Sequence, residues 1–327
     1  MKRVLVTGGA GFIGANLVHH LLRAPDVEVV NLDALTYAGN RNHLSDLPDP
    51  ARHTFVHGDI CDRALVDRLL AEHSIDTIIH LAAETHVDRS ITAPSKFIET
   101  NVMGTFTLLD AARAVSGLRF HHVSTDEVYG SLEPDAPAVA EGAPYAPSSP
   151  YAASKAAGDH LVRAYVRTYG LDATISSCSN NYGRFQYPEK LLPLMIVNAL
   201  AGRPLPIYGD GLQIRDWLHV DDHCEAIIAI AERGVTGETY HVAGGVQPTN
   251  RELVEMVCAL LDTRTPTSPH CPHRDLMRSV TDRPGHDRRY ALDASKIARE
   301  LQWTPKRSLL DGLATTIDWY VNDQVSP

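Results

Sequence analysis

Val4-Leu5-Val6-Thr7-Gly8-Gly9-Ala10-Gly11-Phe12-Ile13-Gly14 carries a short apolar strand straight into glycines spaced G-x-x-G-x-x-G, and a helical pattern follows as far as Leu22. The three spaced glycines serve different ends, since Gly8 suits a tight turn, Gly11 a close backbone approach to a pyrophosphate, and Gly14 close packing of helix on strand. The next apolar run, residues 27–32, ends at Asp33. A carboxylate at that place accepts hydrogen bonds from a ribose 2′-hydroxyl and repels a 2′-phosphate. Strand, turn, helix and acid in this register predict a dinucleotide site that prefers NAD to NADP.

Working outward, apolar runs at 54–57, 77–81 and 120–124 read as further strands, and helical patterns span 63–72 and 94–114. This alternation predicts an α/β fold with a Rossmann-type, doubly wound parallel sheet. Ser149-Pro150 starts a helix that runs to about Tyr169 and stops at Gly170, and a strand at 174–178 follows. Beyond Asn181, Pro188, Pro193, Pro204 and Pro206 punctuate shorter elements. Helices are read at 221–232, 250–261, 294–301 and 309–321, with a strand at 239–242. We expect a NAD-binding domain from 1–181 plus about 214–243, and a smaller, discontinuous α/β substrate-binding domain from about 182–213 and 244–327.

Forty acidic and thirty basic residues leave a formal charge of −10 over 327 residues, which disfavours nucleic acid and anionic membranes as partners. No apolar run is long enough to cross a bilayer. The glycine turn follows Met1 too closely for a secretory core, so a cytoplasmic location is expected. Cys61, Cys178, Cys224, Cys258 and Cys271 form no C-x-x-C pair and suit reduced thiols. His270, Cys271 and His273 lie among prolines without a second ligand pair, and Glu84, His86 and Asp88 follow a strand as a ligand-facing loop, so no metal is expected.

Two groups of side chains suggest chemistry. Tyr151 and Lys155 are one helical turn apart and share a face, where an ammonium and an oxidised nicotinamide both favour a phenolate able to take an alcohol proton. Thr125-Asp126-Glu127 ends the strand at 120–124. Hydride transfer does not require two adjacent acids, so this pair implies a second reaction, most simply an elimination.

The chain resembles the extended short-chain dehydrogenase/reductases, and among them the dTDP-glucose 4,6-dehydratase family. The matching blocks are TGGAGFIG from Thr7, DALTYAGN from Asp33, HLAAETHVDRSI from His80, STDEVYG from Ser124, YAPSSPYAASKAAGDHLV from Tyr145, CSNNYG from Cys178, PEKL from Pro188, IRDWLHVDDH from Ile214 and DRPGHDRRYALD from Asp282. Related epimerases share the glycine turn and Tyr-x-x-x-Lys, but do not normally carry the adjacent Asp-Glu pair.

For NAD the resemblance implies Phe12 and Ile13 at the helix start, Asp33, Ala34, Leu35 and Thr36 at the adenosine ribose, and Asp59 and Ile60 at adenine. Leu81, Ala82, Ala83, Thr100, Tyr151, Lys155 and Asn181 are implied along the nicotinamide half. For the sugar nucleotide it implies Thr85, Thr125, Asn180, Lys190, Leu191, Pro206, Ile207, Tyr208, Arg215, Asn250, Asp282, Arg283, Pro284, Gly285 and His286. Arg215 is the pyrophosphate candidate, because a guanidinium can hold two oxygens at once. Thr85 replaces the serine of many relatives and keeps the hydroxyl. The 131–143 loop and the tail after Tyr320 are shorter than in many of them.

The expected reaction converts dTDP-glucose to a 4-keto-6-deoxy sugar nucleotide through C4 oxidation, loss of water across C5 and C6, and hydride return to C6. Thr125, Asp126, Glu127, Tyr151 and Lys155 are the expected catalytic set. A sugar-nucleotide 4-epimerase, a UDP-glucose 4,6-dehydratase and a non-catalytic NAD-binding protein are the alternatives. The resemblance further implies a homodimer through a four-helix bundle built from the helices at 94–114 and 150–169.

Overall fold

The computed structural model describes residues 1–282 and 286–325; Arg283, Pro284 and Gly285, among the expected substrate contacts, lie outside the described residues. The first half alternates β1 (Arg3–Thr7), α1 (Phe12–Leu21), β2 (Glu28–Asp33), β3 (His53–His57), α2 (Arg63–Glu72) and β4 (Thr77–His80). It continues through α3 (Val87–Thr92), α4 (Pro94–Phe97), α5 (Thr105–Ala112), β5 (Arg119–Thr125), α6 (Pro150–Tyr169) and β6 (Asp172–Cys178). Next come β7 (Asn180–Tyr182), α7 (Leu191–Leu200), β8 (Leu205–Tyr208), β9 (Trp217–His219), α8 (Val220–Arg233) and β10 (Thr239–Val242). The chain closes with α9 (Asn250–Arg264), β11 (Met277–Val280), α10 (Ser295–Leu301) and α11 (Leu309–Val325).

The main sheet has seven parallel strands in the order β10-β6-β5-β4-β1-β2-β3. The order reverses between β1 and β4, and a doubly wound sheet binds ligands in the crevice at the carboxyl end of such a switch point. Helices cover both faces, so the inner strands are buried on both sides, and β5 and β6 bury His121, His122, Thr174 and Ser176 beside their apolar residues. In β1, Leu5 joins the core packed under α2, α5 and α6, while Val4 and Val6 join the opposite core under α1 and α8.

Local signals fix the helices that matter. Asp62 starts α2 by accepting the Leu65 amide at 3.0 Å, and Ser149 starts α6 by accepting the Ala152 amide at 3.1 Å, with Pro150 in the first turn. Gly170 ends α6 at φ 70°, a left-handed conformation that glycine adopts without strain.

The single helix expected over 94–114 is instead α4, a π-helical stretch at Ile98–Gly104, and α5. Asn101 explains the widened turn. Its amide accepts the Glu84 N–H at 2.9 Å and donates to Ser154 Oγ and the Glu84 carbonyl at 2.9 and 3.0 Å, fastening the loop after β4 to α6. Such bulges cluster at functional positions.

A second core unites α7, α9 and α11 with β8 and β9 through Leu192, Met195, Trp217, Leu253, Val257 and Leu313. The pairs β8 with β11 and β7 with β9 bridge it toward the crevice. Ile297, Leu301 and Trp303 pack instead with Ile230, Tyr240 and Val242, so α10 lies against the main sheet. No helix among the described residues is long and apolar enough to cross a membrane.

Candidate active site

The turn after β1 has no room for side chains. A Cβ on Gly14 would lie 2.1 Å from the Gly8 carbonyl oxygen, and one on Gly8, which has φ +74°, would lie 2.8 Å from the Ala82 backbone. Gly11 precedes α1 without a side-chain cap, leaving the first amides of the helix free of such a partner at the sheet's switch point. This is the arrangement that receives a pyrophosphate. Asp33 is buried, with one carboxylate oxygen accepting the Ala10 amide at 2.8 Å and the other the Leu35 amide at 2.7 Å. Each oxygen keeps a further lone pair for a ribose hydroxyl. These residues therefore fit a dinucleotide.

The other expected cofactor residues gather along the same edge. Ala34, Leu35 and Thr36 follow β2, Asp59 and Ile60 follow β3, and Leu81, Ala82 and Ala83 follow β4. The Leu81 and Ala82 amides both donate to Thr7 Oγ1 at 3.2 Å. Thr100 sits in the π-helical stretch. Asn181, in β7, is fixed by His223 Nδ1 at 2.9 Å and by donation to the Ser179 carbonyl at 3.0 Å.

Thr125, the last residue of β5, caps the short 3₁₀ turn Asp126–Tyr129 by accepting the Glu127 amide at 3.3 Å, and its hydroxyl lies 3.2 Å from Asp126 Oδ1. Asp126 is buried and its Oδ2 has no hydrogen-bond partner among the described residues. Burial, reinforced by the neighbouring Glu127, pushes its carboxyl up to about 8. Glu127 is only half-buried. The adjacent acids therefore differ in environment as an acid and a base must.

Tyr151 lies in the first turn of α6, where its phenol feels Thr125, Asp126 and Glu127 of this turn. Burial first, and then the charge of Glu127, hold the phenol well above its ordinary value. Lys155, expected to act on the phenol or on a group bound beside it, donates 2.8 Å from Nζ to the Val123 carbonyl. Lys155 is itself buried, and the loss of hydration lowers its pKa to about 8.

Several of the expected substrate residues lie on elements of the second core. Lys190, at the start of α7, reaches across to donate 3.0 Å to the Thr85 carbonyl. Asn180 lies in β7 and Leu191 opens α7, while Pro206, Ile207 and Tyr208 form β8, directly paired with β11. Asp282 follows β11; it accepts Gln213 Nε2 at 2.9 Å and lies 2.7 Å from His286 Nδ1. Asn250 opens α9 with a buried side-chain oxygen that has no hydrogen-bond partner among the described residues. Arg215 is buried, donates to the Ile214 and Asp287 carbonyls at 2.8 Å each, and stacks 4.3 Å over Tyr290. Its charge partly offsets the rise at Asp126.

Sequence reasoning missed the residues that hold the site together. Asn101 clamps the loop after β4 to α6, and Asp216 accepts the Gly244 and Gly245 amides at 2.7 and 2.9 Å beneath Arg215. Asn101 lies in none of the matching blocks, and Asp216, although inside IRDWLHVDDH, makes its contacts with a segment distant in sequence. Among the described residues no group of three or more His, Cys, Asp or Glu side chains could hold a metal ion.

Residues 5–316 match the family described as GDP-mannose 4,6 dehydratase. The chain is 52% identical over 335 residues to a dTDP-glucose 4,6-dehydratase of Neisseria meningitidis serogroup B, across 99% of this chain and 94% of the relative. It is 50% identical over 338 residues to dTDP-glucose 4,6-dehydratase 1 of Escherichia coli K12, across 98% and 93%. Among solved structures, DesIV, a dTDP-glucose 4,6-dehydratase from Streptomyces venezuelae crystallised with NAD, superposes with a TM-score of 0.91 at 50% identity over 98% of both chains. A UDP-glucose 4-epimerase from Thermotoga maritima superposes with a TM-score of 0.88 at 28% identity, over 98% of this chain and 99% of the epimerase. Backbone shape is thus shared with epimerases, and the side chains must separate the two reactions.

Proposed function

Because the chain belongs to the GDP-mannose 4,6 dehydratase family and, within it, to the dTDP-glucose 4,6-dehydratases, we propose that it uses NAD to convert dTDP-glucose to the 4-keto-6-deoxy sugar nucleotide. The observation that carries this reading is the pair of adjacent acids, Asp126 buried and Glu127 half-buried, beside Tyr151. An epimerase has no use for two more carboxyls at that place.

NAD held by the glycine turn and Asp33 would supply the acceptor for the C4 hydride and its later return to C6, together with a positive ring charge that would favour the Tyr151 phenolate. Tyr151 takes the proton of the C4 hydroxyl while Thr125 holds that hydroxyl. Lys155 orders the ribose and contributes positive charge near the phenol. The resulting C4 ketone acidifies the C5 proton, which Glu127 removes. Asp126, protonated at neutral pH, donates its proton to the departing C6 hydroxyl, and water leaves. As C6 is reduced, Glu127, its proton exchanged with solvent, gives one back to C5, and the proton held by Tyr151 passes through solvent to Asp126, so every group is restored and no net oxidation occurs.

Arg215 and Lys190 are the cations we assign to the pyrophosphate end, with Thr85, Asn180, Leu191, the β8 residues, Asn250, Asp282 and His286 around the remainder of the substrate. We read residues 1–181 plus about 214–243 as the NAD-binding domain and the rest as the covering domain. We also propose a homodimer through the 94–112 region and α6, supported by exposed Ile91, Ile98, Met103 and Phe106 on that side. The five free cysteines suit a reducing cytoplasm.

The test is to incubate the protein separately with dTDP-glucose and UDP-glucose and to weigh the products. The proposal expects a product lighter by one water and absorbing as a 4-keto sugar, formed faster from dTDP-glucose. A product of unchanged mass would indicate epimerisation and reject it.

A further inference from the structure

Three ionisable residues, Tyr151, Lys155 and Asp159, stand at successive i, i+4 positions on α6 and so share one helix face. The reaction uses the first two. Asp159 is fully buried, and a carboxylate taken out of water is costly unless it is paired and hydrogen-bonded. One of its oxygens accepts Ser124 Oγ and the Tyr145 hydroxyl, each at 2.8 Å, and the other lies 3.3 Å from His122 Nε2. Burial pushes the carboxyl up, but its His122, Lys155 and Tyr145 partners outweigh that and hold it ionised.

The groups facing this face leave its negative charge little else to balance it. His122 on β5 is driven down to about 4 by burial, and His80 on β4, whose ring centre is 5.2 Å from that of His122, is lowered well below its usual value by the same cause. Both rings are therefore neutral at physiological pH. Cys178 on β6 is pushed up to about 12 by burial and remains a thiol, and Tyr129 and Tyr145 remain phenols. Arg163, one turn further along α6, donates to the Tyr145 hydroxyl at 2.6 Å and to Thr239 Oγ1 at 3.3 Å. Lys155 is the buried cation on this helix face among the described residues.

We propose that Asp159 is a positioning residue: its carboxylate is the fixed counter-charge that keeps buried Lys155 an ammonium, and so keeps Lys155 competent toward ribose and phenol. The buried ammonium would otherwise shed its proton, because the Val123 carbonyl alone cannot replace the hydration it has lost. The role assigned to Lys155 is that of the dehydratase reading, and the inference rests on it.

The experiment titrates Lys155 by NMR in NAD-loaded protein carrying ¹³C-labelled lysine side chains, with Lys155→Met used to assign the signal. Asp159→Asn should lower the Lys155 midpoint by about 1–3 pH units, and Asp159→Glu should restore most of it. In parallel, the alkaline limb of the turnover profile should move to lower pH in Asp159→Asn while turnover on the acid side stays closest to that of the unaltered protein. An unmoved midpoint, or an equal loss of turnover at every pH, would overturn the proposal and leave Asp159 a structural residue. If Asp159→Asn does not fold, the double variant Asp159→Asn/Lys155→Met, which lacks both buried charges, should fold; failure of both also overturns it. The titration does not depend on turnover, so an unaltered protein that fails to dehydrate dTDP-glucose would refute the functional reading while the midpoint still decides this one.

Discussion

Asp126 and Glu127 are joined by one peptide bond, yet Asp126 is 4% exposed, with Oδ2 lacking a hydrogen-bond partner among the described residues, while Glu127 remains half-buried. The 3₁₀ turn capped by Thr125 is what separates them, because it turns successive side chains toward different surroundings. Burial and the neighbouring charge then keep Asp126 protonated up to about pH 8.

That shift has a consequence for stability. The folded carboxyl sits above its unfolded value, so the folded state binds the extra proton between about pH 4 and 8 and loses stability as pH rises through that window. Asp126→Asn removes the titration. Melting temperatures should show the variant gaining on the unaltered protein from about pH 4 to 8 and no further above that, while turnover falls by about 100 to 10,000-fold. A constant difference across that range would contradict the raised carboxyl.

Glu127→Gln removes the base that follows oxidation. With dTDP-glucose it should form the C4 ketone yet retain the C6 oxygen, and overall turnover should drop by about 100 to 10,000-fold. Rapid-quench mass spectrometry separates the two steps, and native-rate water loss would remove Glu127 from the mechanism.

Much of this arrangement was legible in the sequence. The glycine turn, Asp33 and the alternating strands announce themselves through local spacing, and the 239–242 strand and Arg63–Glu72 helix appear where the pattern puts them. What escaped depends on contacts between distant segments. The π-helical stretch exists because Asn101 bonds to Glu84 and Ser154, and no periodicity within 94–114 encodes those partners. The pairs β7 with β9 and β8 with β11 are three or four residues long, too short for alternation to register. Spacing alone reveals Tyr151 and Lys155, but the Val123 carbonyl that holds Lys155 comes from another element, β5.

Gly14→Ala tests the closeness of the dinucleotide turn. A Cβ 2.1 Å from the Gly8 oxygen and 2.7 Å from the Gly9 Cα has only backbone to displace, so α1 must move away from β1. The purified variant should lose bound NAD and melt lower than the unaltered protein. Retention of NAD at an unchanged melting temperature would show that the turn has slack.

The proposed subunit contact has its own test. Phe106→Glu places a charge among exposed apolar side chains beside Met103. Light scattering should give about twice the chain mass of 35.8 kDa for the unaltered protein and a shift toward that mass for the variant. A single-chain mass for the unaltered protein would reject the homodimer.

The central claim is that Tyr151-assisted oxidation, elimination by Glu127 and Asp126, and reduction occur in one site without release of the borrowed hydride. Its most direct test is turnover of dTDP-glucose bearing deuterium at C4 in ordinary water, read by NMR at C6 of the product. The account predicts deuterium at C6 of the same molecule and a solvent-derived proton at C5. Product without deuterium at C6, or with deuterium still at C4, would contradict it.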